Sequence, residues 1–186
     1  MGMVEVDISM SVDGFITGPR LDEFPGLGEG GDVLHAWIDE NDQRMVGEAL
    51  AAAGAIVTSR TVYDDMDGWG EDGWYHMPVF VLTHRPHETV VRGPTTFTFV
   101  TGGVEQAITE ARAAAGDKKV HVMGGATVIQ QAFRAGLVDG LFVHVAPVLL
   151  GAGTSLFEHL GDRVPLEPTE VVVTKAATHL RFEVVK

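Results

Sequence analysis

At 186 residues, 45% of them hydrophobic, the chain is long enough to bury a core as one domain and too apolar to be disordered. It has no cysteine, which excludes disulfides, thiolate nucleophiles and cysteine-held zinc. Thirteen basic against 26 acidic residues give a net charge of −13, which argues against nucleic acid and anionic membrane as partners. A phosphate would have to be held locally, by a few arginines and backbone N–H groups, so the position of each arginine matters.

In chain order, Met3 to Met10 reads as a strand, with Val4, Val6, Ile8 and Met10 alternating against Glu5, Asp7 and Ser9. These early carboxylates are unlike a signal peptide, and no apolar run reaches the ~20 residues a bilayer span requires, so a cytoplasmic protein is expected. Asp13-Gly14 marks a turn. From Phe15 to about His35 runs a long loop rich in Gly and Pro, either a lid over a site or a disordered surface excursion. Its Gly26-Leu27-Gly28-Glu29-Gly30-Gly31 matches G-x-G-x-x-G by letter, but lacks the strand before and the helix after that a dinucleotide fingerprint needs.

Asn41 or Asp42 is the expected N-cap of a helix that runs to about Ala53. Strands follow at Ala55–Thr58, Pro78–Thr83 and Thr95–Thr101, then a helix over Gly103–Ala115 stopped by Gly116. Val120–Met123 is a buried strand, Gly124-Gly125 a sharp turn, and Ala126–Arg134 a helix closed near Gly136. Leu141–Leu150 reads as a long apolar strand. Thr169–Thr174 and Thr178–Val185, only three residues apart, should pair as an antiparallel hairpin. The whole chain, 1–186, is therefore one α/β domain with a mostly parallel central sheet and an antiparallel C-terminal edge.

Three strand ends carry phosphate-binding chemistry. Gly124-Gly125 lets backbone approach a ligand, and a helix starting at Ala126 or Thr127 aims N–H groups and a positive dipole at an anion. Thr58-Ser59-Arg60-Thr61 ends one strand with two hydroxyls and a guanidinium, and Thr83-His84-Arg85 repeats the arrangement on the next. Ligands in open α/β sheets bind outside such carboxyl ends. Asp13 and Asp42 are the candidate acids, since either could face a cleft where partial burial would raise its pKa and let it deliver a proton. The eight histidines show no metal-binding spacing, so no metal is expected. Trp37, Trp69 and Trp74 flank loops and could stack on a planar ring or cap the core.

With these pieces placed, the chain resembles the dihydrofolate reductase-like family, in its bacterial branch related to the riboflavin-pathway pyrimidine reductase domain. Six segments carry the likeness in order: 9–16 (SMSVDGFI), 56–63 (IVTSRTVY), 79–85 (VFVLTHR), 122–126 (VMGGA), 136–141 (GLVDGL) and 147–157 (PVLLGAGTSLF). The resemblance implies a three-layer α/β/α fold and an NADP site at the strand ends. That site would comprise Ile16, Thr58, Ser59, Arg60, Thr61, Thr83, His84, Arg85, Met123, Gly124, Gly125, Ala126, Thr127 and Val128. Arg60 and Thr83-His84-Arg85 would hold the adenosine 2′-phosphate, Gly124 to Thr127 the pyrophosphate, and backbone near Ile16 the nicotinamide. It further implies hydride transfer to a small planar or heterocyclic substrate, pterin- or pyrimidine-like, with Trp37 in the substrate site. A homodimer is also implied, paired through a sheet edge to which Leu141–Leu150 could contribute. Ser59 and Val62 stand where the family usually has Gly and Thr, and a nucleotide-binding module without turnover is the alternative those departures leave open.

Overall fold

The computed structural model describes residues 2–39 and 43–186. Its strands are β1 (Val4–Ser11), β2 (Phe15–Thr17), β3 (Ala53–Ser59), β4 (Pro78–Leu82), β5 (Val90–Arg92), β6 (Thr95–Val100), β7 (Lys119–Val122), β8 (Gly140–Ala146), β9 (Thr154–Ser155), β10 (Leu166–Val173) and β11 (Thr178–Val184). The helices are α1 (Ala36–Asp39), α2 (Gln43–Ala52), α3 (Arg60–Asp65), α4 (Gly103–Ala115) and α5 (Ala126–Arg134). Among the described residues, nine strands form one sheet in the order β10-β11-β8-β1-β7-β3-β4-β6-β5. β8, β1, β7, β3, β4 and β6 run parallel, while β5 and the β10–β11 hairpin add antiparallel pairings at the two edges.

The parallel pairs need crossovers, and these put helices on both faces. Val4, Val6, Ala55, Val57, Val120, Val122, Leu141 and Val143 pack on one face against Ala107, Ile108 and Ala111 of α4 and Val128, Ile129 and Ala132 of α5. On the opposite face Ile56, Val79, Val81 and Phe97 meet Tyr63 of α3 and Tyr75, and Phe142 meets Trp37 of α1 and Met45 of α2. The result is the three-layer α/β/α arrangement.

Several expectations are corrected. The apolar strand stops at Ala146 rather than Leu150, because Pro147 follows and cannot donate to a ladder. It also lies inside the sheet, between β11 and β1, so it is not a free edge; the edges are β10 and β5. The stretch after Asp13 is not one long loop. β2 pairs with β9, and Gly31–His35 forms a short 3-10 helix before α1. α2 is found where a helix is expected, but its candidate caps Asn41 and Asp42, and with Asp42 one candidate acid, lie outside the described residues.

Candidate active site

The register of the central strands lines up their carboxyl ends. Val57 of β3 stands opposite Val122 of β7, and Ser59 opposite Leu82 of β4. The Gly124-Gly125 turn, the Ser59-Arg60 step and the Thr83–Arg85 turn therefore sit side by side, on strands roughly 4.8 Å apart. Gly124-Gly125 is a cis peptide, and Gly124 holds φ +132, which L side chains rarely adopt. Gly125 has ordinary extended backbone, and a Cβ there would meet Ser59 Oγ at 3.6 Å and Val62 at 3.8 Å, ordinary contacts. No neighbour in the chain demands its lack of a side chain; what glycine leaves there is an open cradle at the start of α5. Gly125 gives that helix no side-chain cap, so the first-turn N–H groups of Ala126 and Thr127 point out of it unbonded by the helix.

The neighbouring residues divide. Ser59 caps α3, its hydroxyl accepting from the Val62 N–H at 3.2 Å, which gives this departure from the family pattern a local structural role. Thr58 shares the face of β3 with Ile56 and is fully buried, and its hydroxyl has no hydrogen-bond partner. Arg60 lies over Phe99, 5.5 Å from the ring centre, and donates to Asp64 at 2.7 Å. The Thr83 hydroxyl accepts the Arg85 N–H at 3.1 Å, and among the described residues the exposed Arg85 guanidinium has no acidic partner. Thr61 and His84 are exposed. Val128 contributes least to such a site: its side chain is in the core and its N–H donates to the Gly125 carbonyl at 3.0 Å.

Beside this row opens a cavity of about 820 Å³. Ile16, Trp37, Met123, Gly124 and Gly125 line it, as do Trp69, Trp74 and Tyr75. Its walls are mostly apolar; its floor is not. Asp7 projects from β1, with His144 Nε2 of β8 2.9 Å from Oδ1 and His121 Nε2 of β7 3.0 Å from Oδ2. The His121 contact is an ion-pair approach without hydrogen-bond alignment. His144 Nδ1 lies 2.6 Å from Nδ1 of His179 on β11, whose Nε2 faces the Thr174 hydroxyl at 3.3 Å. With His144 donating from Nε2 to Asp7, its Nδ1 accepts from His179. Trp37 stacks on His144 at 4.1 Å between ring centres, and its indole N–H donates to Ser9 Oγ at 2.9 Å.

Burial alone would push the Asp7 carboxyl up, but the imidazoles of His121 and His144 outweigh it and hold Asp7 well below the usual carboxylate range. Burial disfavours the charged His121 ring, yet the adjacent Asp7 charge prevails and raises its pKa above the ordinary value. The Tyr75 hydroxyl donates to Met123 Sδ at 2.7 Å, and burial together with the Asp7 charge pushes its pKa far up.

Asp13 behaves opposite to expectation. Its carboxylate is exposed, lies off the cavity lining, and accepts from the Ser11 hydroxyl at 2.6 Å and the Leu150 and Gly151 N–H groups at 3.1 and 2.8 Å. The Ser11 bond, with those two backbone bonds, lowers its pKa instead of raising it. It clamps the 147–153 loop to the end of β1. The floor itself is legible in hindsight from Asp7, His121 and His144, polar residues inside strands that a parallel sheet buries on both faces. Three strands bring together histidines that are far apart in the chain. Among the described residues no group of three or more His, Asp or Glu side chains is arranged to hold a metal ion, and no helix is long and apolar enough to cross a membrane.

A family model described as the RibD C-terminal domain matches residues 3–180. Among solved structures, a protein from Shewanella sp. PV-4 named for riboflavin biosynthesis is 24% identical, with 99% of each chain covered and a TM-score of 0.79. A diaminohydroxyphosphoribosylaminopyrimidine deaminase/5-amino-6-(5-phosphoribosylamino)uracil reductase from Thermotoga maritima is 14% identical at TM-score 0.69; 99% of this chain is covered, and it spans 57% of that protein. Enterococcus faecalis dihydrofolate reductase, solved in complex with NADP(H) and RAB-propyl, is 16% identical at TM-score 0.60, covering 100% of this chain and 98% of that one. No curated protein matches at the sequence level.

Proposed function

Because the chain belongs to the RibD C-terminal domain family, we propose that it is an NADPH-dependent reductase acting on the C=N or C=O of a small planar or heterocyclic substrate bound in the 820 Å³ cavity. The observation that carries this reading is the row of strand ends. Gly124-Gly125 and the uncapped start of α5 offer backbone donors for a pyrophosphate. Arg60 and Arg85 lie at the next two strand ends along, where both guanidinium groups can reach a 2′-phosphate in a chain otherwise rich in acid. The Gly125 cradle fits a bound group on that edge.

When bound, the nicotinamide supplies the hydride. The chain's own residues do the rest. Ile16 and Met123 wall the reacting end, Trp37 offers an aromatic face over the floor, and the Gly26–Leu27 segment closes one side. Holding the substrate against the cofactor in one orientation supplies much of the rate.

All three tryptophans line the cavity, so cofactor binding is read by their fluorescence. Titration with NADPH should quench it saturably, and NADH, without the 2′-phosphate, should bind about tenfold or more weakly. No change with NADPH up to millimolar concentration overturns the reading. NADPH binding with no oxidation across pterins, pyrimidinones, quinones and aldehydes would leave the binding module without turnover instead.

A further inference from the structure

Every polar group on the cavity face of β1 has a structural explanation except one set. Glu5 is held by Lys119 and Arg181, Ser9 by Trp37, Ser11 by Asp13. Asp7 and the three histidines around it occupy the middle of the sheet, where apolar side chains would pack without the several kcal/mol that desolvating a carboxylate costs. Sites that keep such groups against a cavity are where proton chemistry is found.

Resting on the reductase reading above, we propose that His121 is the proton donor of the reduction and that Asp7, itself fixed by the His144–His179 pair, is the residue that keeps His121 charged and oriented. The substrate carbon takes a hydride from reduced nicotinamide and forms a C–H bond. The π pair of its C=N or C=O moves onto nitrogen or oxygen, and that atom takes the proton from the His121 imidazolium. His121 is left neutral beside Asp7 and regains its proton from water as product leaves.

Geometry selects His121 over its competitors. Its ring lines the cavity while the buried Nε2 rests 3.0 Å from Asp7, so Nε2 orients the ring and the proton to be handed over is the one on Nδ1. His144 also borders the cavity, but it is bonded at both nitrogens and covered by Trp37. Tyr75 lines the same space, but its hydroxyl is bonded to Met123 Sδ and burial makes it a poorer acid. Asp13 is a surface clamp away from the cavity. The charged groups that bear on His121 are Asp7 and Glu5 of β1, which favour its protonation, and Lys119 of its own strand, which opposes it; its β3 neighbour is the apolar Ile56.

The experiment is nitrogen NMR of the histidine rings in the ligand-free protein, paired with NADPH binding and turnover of the four probe classes by wild type, His121→Gln, His121→Asn and Asp7→Asn. His121 should be doubly protonated at pH 7 in wild type, and its titration should move down in Asp7→Asn. His121→Gln and His121→Asn should bind NADPH as wild type does and lose about 100-fold or more in kcat with KM little changed. A His121 ring neutral at pH 7 overturns the proposal. So does wild-type turnover in both His121 variants, or a wild type that binds NADPH yet reduces none of the probes. Failure of wild type to bind NADPH is a different result, since it removes the reductase reading on which the proposal stands.

Discussion

The two faces of β1 are made from the same eight residues and are both covered, yet they are built on opposite rules. Val4, Val6, Ile8 and Met10 meet α4 and α5 in a continuous apolar layer that asks only for volume. Glu5, Asp7, Ser9 and Ser11, one residue out of step, form a ladder in which every rung has a named partner: two cations, two imidazoles, an indole and a carboxylate. Burial by itself does not distinguish the faces. A central strand tolerates charge only where neighbouring strands deliver complementary groups at the same height, and β7, β8 and β11 do so on one face alone.

The contrast is most easily broken at Val6, which is fully buried on the apolar face. Val6→Asp places there the same side chain that Asp7 carries next door, without partners, and should cost roughly 4 kcal/mol or more, seen as a collapse of the urea midpoint or failure to fold. Asp7→Asn tests the polar face by removing charge while keeping shape, and should cost about 2 kcal/mol at neutral pH. It should also change the pH profile of stability. His121 has a raised pKa, so its contribution is full below the ordinary value near 6.5 and fades as pH climbs through the raised one. Asp7 has a depressed pKa, so its contribution is present at neutral pH and disappears only in strong acid. Thermal melts of wild type should therefore decline above pH 6.5, and those of Asp7→Asn should decline less; parallel profiles would break the assignment. The smallest effect is expected at Ser9→Ala, which leaves the buried Trp37 indole N–H without its acceptor and should lower stability by about 1 kcal/mol, with a shifted tryptophan emission.

How far the sequence reaches differs between the cofactor row and the cavity floor. Gly124-Gly125, Arg60 and Thr83-His84-Arg85 are local signals, each written in consecutive residues at a strand end, and the sheet had only to set them side by side. The floor is non-local. Asp7, His121, His144 and His179 lie on four strands, and no spacing along the chain joins them. Alternation in β1 marks one buried face correctly but says nothing of whether the other is covered. Asp13, followed by glycine at a turn, looks like an available acid; the bonds that make it a clamp come from Leu150 and Gly151, more than 130 residues away.

By itself the sequence determined the order of the longer strands and helices, a parallel sheet with an antiparallel hairpin at its edge, and the family, because these follow from short-range periodicity, glycine and proline stops, and contiguous motifs; the short β2, β5, β9, α1 and α3 escaped it. Only the tertiary structure decided that β8 is interior and β10 an edge, that Asp13 is a surface staple, and that a carboxylate and two imidazoles share the floor of one cavity with a third imidazole buried behind them. Those outcomes depend on which strands become neighbours and at what register, and that is set by the sum of all the packing in the domain rather than by any one segment.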